Sequence, residues 1–216
     1  MIKVYYANIE LFDEPELFDK CLKYVHPIRM EKVLRCKREA DRKRSLLAGV
    51  LLKIAFEREG YSYDTLDFAV EVHGRPVVKN VNKFFFSLSH AGNYALCCMS
   101  DQPVGADIEV AEKKVLNREK QMQAMAKKAL SEAEYKHYHL ADAQKKTEVF
   151  LKYWTRKESY SKAFGEGLRM DFSSIDTEAM GSSFWSDWLE EDCFVSIYAG
   201  QECSSGIEFE KIFEIK

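Results

Sequence analysis

At 216 residues the chain can form one body or two fused halves of about 100 residues each, and 46% hydrophobic residues with only 10 Gly and 4 Pro mark an ordered globular protein. A formal net charge of -3 excludes a uniformly basic nucleic-acid or membrane binder, leaving local patches to be read separately. Acids within the opening MIKVYYANIELFDE argue against a signal peptide, no run approaches the roughly 18 apolar residues of a bilayer span, and the cysteines at 21, 36, 97, 98, 193 and 203 form no C-x-x-C pair, so they read as free thiols in a reducing cytoplasm.

Loose alternation over Ile2 to Ala7, closed by Asn8, predicts an opening strand. A charged stretch from Arg29 to Arg44 leads into SLLAGVLLKIAFEREG, where Leu47, Val50, Leu51 and Ile54 fall at helical spacing and Gly60 is the stop. LDFAVEV, KFFFSL, YALCCM and VGADIEV then read as strands separated by the turn chemistries HGRP, SHAGN and SDQP, a small sheet for that helix to pack on. From Ala111 to Phe164 there is neither proline nor glycine. Ser131 with Glu134 makes a capping-box signature there, and EVFLKYWTRKESYSKAF has helical periodicity. After Gly165 and Gly167 the runs CFVSIYA and IEFEKIFEI are strand-like again. The expected class is α+β, each half a helix against antiparallel strands, with halves at 1–108 and 109–216 joined by a tight junction near 105 to 112.

Two constellations carry chemistry. Along the strand end VGADIE, Asp107 and Glu109 project from one side and Ile108 from the other. The helix that follows bears Trp154, Lys157, Glu158, Ser161 and Lys162, with 154, 158 and 161 expected on one face, so Glu158 supplies a third carboxylate. Three acids on two elements suit Mg2+, which takes a few carboxylates and keeps other positions for water and phosphate. By themselves the same residues also read as a solvated strand edge and an ordinary surface pair.

The second constellation is basic. Arg29, Lys32, Arg35, Lys37, Arg38, Arg42, Lys43 and Arg44 stand against Glu31, Glu39 and Asp41. This stretch is either a solvated helix face, a nucleic-acid footprint or a phosphate site. It lacks the interleaved aromatics of a single-strand binder, which favours a nucleotide phosphate over a polymer. Gly74-Arg75-Pro76 and Ser87-Leu88-Ser89-His90 offer a guanidinium fork, hydroxyls and an imidazole for the same anion, although His90 also reads as a turn histidine bonded to backbone.

In order, G-R-P at 74–76, F-S-L-S-H at 86–90, V-G-A-D-I-E at 104–109 and W-T-R-K-E-S-Y-S-K-A-F-G-E-G-L at 154–168 resemble the signature blocks of the 4′-phosphopantetheinyl transferases, in their longer, pseudo-dimeric subgroup. The resemblance implies two similar α+β halves related by a pseudo-twofold, with the active site in the cleft between them. It implies an enzyme that moves phosphopantetheine from coenzyme A to a serine of an apo acyl or peptidyl carrier protein, needs Mg2+ or Mn2+, and releases 3′,5′-ADP. On that resemblance Asp107, Glu109 and Glu158 hold the metal, and Glu158, Lys157 and Lys162 are catalytic. Arg75, Pro76, Ser89 and His90 touch the nucleotide, and Arg29, Lys32, Arg44 and Ser45 add phosphate contacts. A cytoplasmic protein, expected to be a monomer, with neither nucleic-acid nor membrane partners is the reading that goes with the free thiols, the missing apolar span and the missing aromatics. The chain departs from the family pattern at Arg75, where lysine is usual, and at Ser87, Ala91 and Ala106. A nucleic-acid-binding protein and a coenzyme A-binding regulator without catalysis are the rival readings.

Overall fold

The computed structural model describes residues 1–71, 74–111, 118–200, 203 and 206–215. The first residue of the predicted H-G-R-P turn, at 73, and the end of the predicted junction, at 112, lie outside them. The chain divides into two compact units, Met1–Pro103 with Gly206–Lys216, and Val104–Ser205.

In the first unit β1 (Ile2–Asn8) leads to helices α1 (Pro15–Tyr24), α2 (Pro27–Arg35) and α3 (Glu39–Arg58), then to the short strands β2 (Phe68–Val70) and β3 (Pro76–Val78). The strands β4 (Phe85–Ala91) and β5 (Tyr94–Ser100) and the last strand, β9 (Ile207–Lys211), complete a sheet of order β4-β5-β1-β9. β9 runs parallel to β1, whereas the other pairs are antiparallel. Leu47, Val50 and Leu51 of α3 are buried with Phe86, Cys97 and Met99 of the sheet, as the helical spacing predicts. The charged stretch is not one face: it breaks at Cys36, leaving Arg29, Lys32 and Arg35 on α2 and Arg42, Lys43 and Arg44 on α3. Pro15 and Pro27 start α1 and α2 at positions where the missing N–H costs nothing, a signal the charge run obscures.

The second unit contains β6 (Val104–Val110), α4 (Arg118–Ala129), α5 (Glu132–Leu140), α6 (Lys146–Phe164), β7 (Phe184–Trp188) and β8 (Cys193–Ala199). Its sheet is antiparallel with order β6-β8-β7, and α6 packs on β6 and β8. The capping box forms at Ser131, with both reciprocal hydrogen bonds to Glu134.

Two boundaries differ from the expectation of a cut at 108/109. Residues 104–108 cohere with the second unit because β6 pairs with β8 from Val104 onward. The last residues belong to the first unit because Ile2 to Tyr6 pair with Ile207 to Lys211, which extends a buried sheet edge by one ladder. Among the described residues no disulfide joins any of the six cysteines. Among the described residues no helix is long and apolar enough to cross a membrane.

Candidate active site

The acidic constellation lies within the second unit and depends on a glycine. A Cβ at Gly105 would stand 1.8 Å from the Ser159 carbonyl oxygen and 2.7 Å from the Ala163 nitrogen, so only glycine lets β6 lie this close to α6. Two residues on, Asp107 is 5% exposed and accepts a hydrogen bond from Lys162 Nζ at 2.6 Å. Lys162 also donates to the Ala106 carbonyl at 3.2 Å. Trp154 Nε1 donates to Glu109 Oε1 at 3.2 Å. Residues 154, 158 and 162, each four apart, therefore form the face of α6 turned to β6. Ser161, expected on that face, is instead buried and donates to the Gly167 carbonyl at 2.6 Å.

Glu158 sits between Trp154 and Lys162 on this face, and its carboxyl is pushed up to about 7. Burial is the main cause; the charges of Asp107 and Glu109 add to it and that of Lys162 opposes it. Three carboxylates thus share one partly buried place with, among the described residues, the Lys162 ammonium beside them, an excess of negative charge that a divalent cation would relieve. Among the described residues no three His, Cys, Asp or Glu side chains already stand as a set of metal ligands. Lys162 holds Asp107 and Trp154 holds Glu109 in this structure. The donor set, all carboxylate oxygen, fits a hard cation such as Mg2+.

The raised Glu158 carboxyl has a consequence for stability. Its folded value of about 7 lies above the ordinary 4.5, so between those values the folded state binds the extra proton and stability falls as pH rises. The loss is on the order of 2 kcal/mol once the partial exposure of the side chain is discounted. Melting curves of wild type and Glu158→Gln from pH 4 to 8 are expected to diverge across this window, the wild type losing more stability toward pH 8. Parallel curves would remove the charge crowding.

Lys157, expected among the catalytic residues, is placed otherwise. It is 0% exposed, and its ammonium pairs with Glu134 Oε2 at 2.7 Å and donates to the carbonyls of Phe172, at 2.7 Å, and Ile175. All three N–H groups are engaged, so it has none for a substrate phosphate. The reason is geometric: successive residues on a helix point about 100° apart, so the neighbour of a site-facing Glu158 turns into the core.

In the first unit, Ser89 and His90 are adjacent on β4 and so face opposite ways, Ser89 buried and His90 exposed at the strand end. Arg44 donates to the Gly92 carbonyl at 2.6 Å and pairs with Asp41, tying the β4–β5 turn to α3. Arg44 holds the Asp41 carboxyl below the usual range, with smaller contributions from Arg38 and His90. Hence Arg38, Asp41, Arg44 and His90 share one neighbourhood. The stem of Arg29 crosses α3 at Gly49, where a Cβ would meet its Cγ at 2.6 Å. Burial lowers the Arg29 pKa, and among the described residues no carboxylate pairs with it. One turn before Gly49, the buried Ser45 Oγ has no hydrogen-bond partner among the described residues. A half-buried guanidinium without a carboxylate and a buried hydroxyl without a partner, both among the described residues, are what an anion would satisfy. Lys32 is exposed on α2, and Arg75 and Pro76 lie half-buried at the head of the β2–β3 hairpin.

Gly105 and Glu134 carry parts in this arrangement that the sequence did not assign to them. Both were visible, Gly105 in V-G-A-D-I-E and Glu134 in the capping box, but a close approach and a second partner are not written in a local pattern.

Comparison with known proteins gives a consistent set. Residues 103–198 match the family model described as the 4′-phosphopantetheinyl transferase superfamily, and residues 14–102 match that of the 4′-phosphopantetheinyl transferase N-terminal region. The chain is similar to 4′-phosphopantetheinyl transferase Sfp of Bacillus subtilis (strain 168), at 29% identity covering 81% of this chain and 75% of that one. It is also similar to the transferase psf-1 of Bacillus pumilus, at 33% identity over 62% and 55%, and to ffp of Bacillus subtilis, at 25% over 91% and 87%.

Proposed function

The chain belongs to the 4′-phosphopantetheinyl transferase superfamily and is a transferase of the Sfp type, and on that premise we propose how its own residues carry out the transfer from coenzyme A to a carrier-protein serine. The observation that carries the reading is the convergence of Asp107, Glu109 and Glu158 beside Lys162, with Glu158 pushed up to about 7. A carboxyl poised near neutral pH is suited to accept a proton from a hydroxyl. Glu158 takes the proton of the carrier serine, directly or through a water, as the serine Oγ attacks the β-phosphorus of coenzyme A. The bond from that phosphorus to the oxygen of 3′,5′-ADP breaks, and the phosphopantetheine arm stays on the serine.

Mg2+ or Mn2+ held by Asp107, Glu109 and Glu158 would neutralise charge on the pyrophosphate linkage as it splits and 3′,5′-ADP leaves. Lys162, 2.6 Å from Asp107, would then release that carboxylate and turn its ammonium to the phosphates. Trp154 orients Glu109 through the indole N–H. Arg29, Ser45, Arg44 and His90 would receive the nucleotide phosphates, supported by the half-buried Arg29 and the buried Ser45 hydroxyl, which among the described residues lack a carboxylate and a hydrogen-bond partner respectively, with Arg75, Pro76, Ser89 and Lys32 as further nucleotide contacts. Lys157 has no place in this set. The free thiols favour a cytoplasmic protein, and we take the working unit to be a monomer.

A nucleic-acid role is disfavoured because the basic stretch is split between two helices, with Arg35, Lys43 and Arg44 paired to Glu31, Asp13 and Asp41. Incubation with coenzyme A, Mg2+ and a panel of apo carrier proteins, followed by weighing of each carrier, is expected to show the added phosphopantetheine mass. No addition to any carrier would overturn the reading.

A further inference from the structure

We infer that the buried Lys157–Glu134 pair is a positioning device, which sets the rotation of α6 and, through Phe172 and Trp154, the direction of the Glu109 carboxylate. The inference rests on the proposed use of Glu109 in the site.

Glu134 is 0% exposed, and both its oxygens are fully used. Oε1 accepts from the Thr177 N–H at 2.9 Å and the Thr177 hydroxyl at 2.7 Å. Oε2 accepts from the Ser131 N–H at 2.9 Å and from Lys157 at 2.7 Å. Three parts of the second unit meet at this carboxylate: the start of α5, the segment around residue 177, and α6. Lys157 adds the carbonyls of Phe172 and Ile175, so the segment from 172 to 177 is held at both ends by one ion pair.

The connection continues to the acids. The short turn of helix at Phe172–Ser174 presents the Phe172 ring edge-on to Trp154, centroids 5.8 Å apart and planes at 74°. Phe150 stacks on Trp154 at 6.0 Å. Clamped by these rings, the indole has one direction for its N–H, and that direction ends on Glu109 Oε1. Lys157 also fixes α6 about its axis at the position next to Glu158. A buried pair is not retained for stability, since apolar residues of similar size commonly do as well. Here it holds elements whose relative placement orients two carboxylates, and outer partners of this kind tune a metal site without touching it.

The test separates positioning from phosphate binding. Lys157→Met and Glu134→Gln are each expected to lower kcat and weaken Mg2+ binding about tenfold or more, with KM for coenzyme A within about twofold of wild type. Because the two act as one unit, the double variant Lys157→Met/Glu134→Leu should be no worse than either single change. It leaves no buried charge unpaired, so it supplies a folded chain even if the single variants melt early. A tenfold rise in KM for coenzyme A in Lys157→Met but not in Glu134→Gln would make Lys157 a phosphate ligand and overturn the inference. A folded double variant with wild-type kcat and wild-type Mg2+ binding would overturn it as well, by making the pair dispensable. Mg2+ binding is measured by calorimetry on the chain alone, so it reads the inference even where the carrier assay shows no transfer.

Discussion

Asp107→Ala is expected to lower transfer about a thousandfold or more, corresponding to the several kcal/mol that charge neutralisation at a phosphoryl-transfer site supplies. The fold should survive. Asp107 lies at the end of a strand whose ladder with β8 is made by backbone groups, so the substitution removes no rung. Its partner Lys162 keeps the Ala106 carbonyl at 3.2 Å and is partly exposed to water. Removing the Asp107 charge also relieves the repulsion that raises Glu158, so the Glu158 carboxyl should titrate lower in the variant. Three readings check this together: the carrier assay, a cooperative melt, and the effect of Mg2+ on the melting temperature at pH 8. Wild type is expected to be stabilised by Mg2+ through its binding to the folded state alone, and Asp107→Ala much less so. Retained transfer in the variant would take Asp107 out of the site.

Gly105→Ala is expected to be the most damaging single methyl addition near the site. The new Cβ would be driven between the Ser159 carbonyl and the Ala163 nitrogen, the two ends of one α6 backbone rung. Neither is a flexible side chain that could swing away. The strand and the helix must separate, at a cost of about 3 kcal/mol, which for a chain of this size is a fall of roughly 10 °C in melting temperature. Separation also carries Asp107 and Glu109 away from Glu158, so transfer should fall further than stability explains. Gly200→Ala is the control: its nearest atom is the Tyr198 hydroxyl at 3.8 Å, an ordinary contact. Its effect should stay within about 0.5 kcal/mol. Equal melting temperatures for the two variants would show that β6 can move off α6 freely.

Much of the fold was readable from periodicity. The apolar spacing at Leu47, Val50 and Leu51 found the helix that the first core is built on. The capping box at Ser131 was legible because it is a four-residue signal with a fixed mechanism. Helices α1 and α2 were not, since their short apolar stripes are hidden in charged sequence. On α6, Ser161 does not share the face of Trp154 and Glu158 that its spacing suggests, and Lys157, a catalytic residue on the resemblance, turns into the core. Residues 151 to 163 alternate between buried and half-buried, because this helix packs against strands on one side and against α5 and the segment after it on another. A helix covered on several sides has no single apolar stripe to tell its faces apart.

By itself, the sequence determined which local elements form and that two carboxylates share one side of the strand end at 107 and 109, because alternation along a strand is a property of the backbone. It also determined the family, through the order of blocks no single one of which is specific. Only the tertiary structure decided which of two adjacent residues, Lys157 and Glu158, lies beside Asp107 and Glu109 and which enters the core. It alone showed that Gly105 allows the acids to meet Glu158, and that β9 returns to pair with β1. Each of these depends on which surface of one element meets another far along the chain, and a local pattern carries no record of its distant partner.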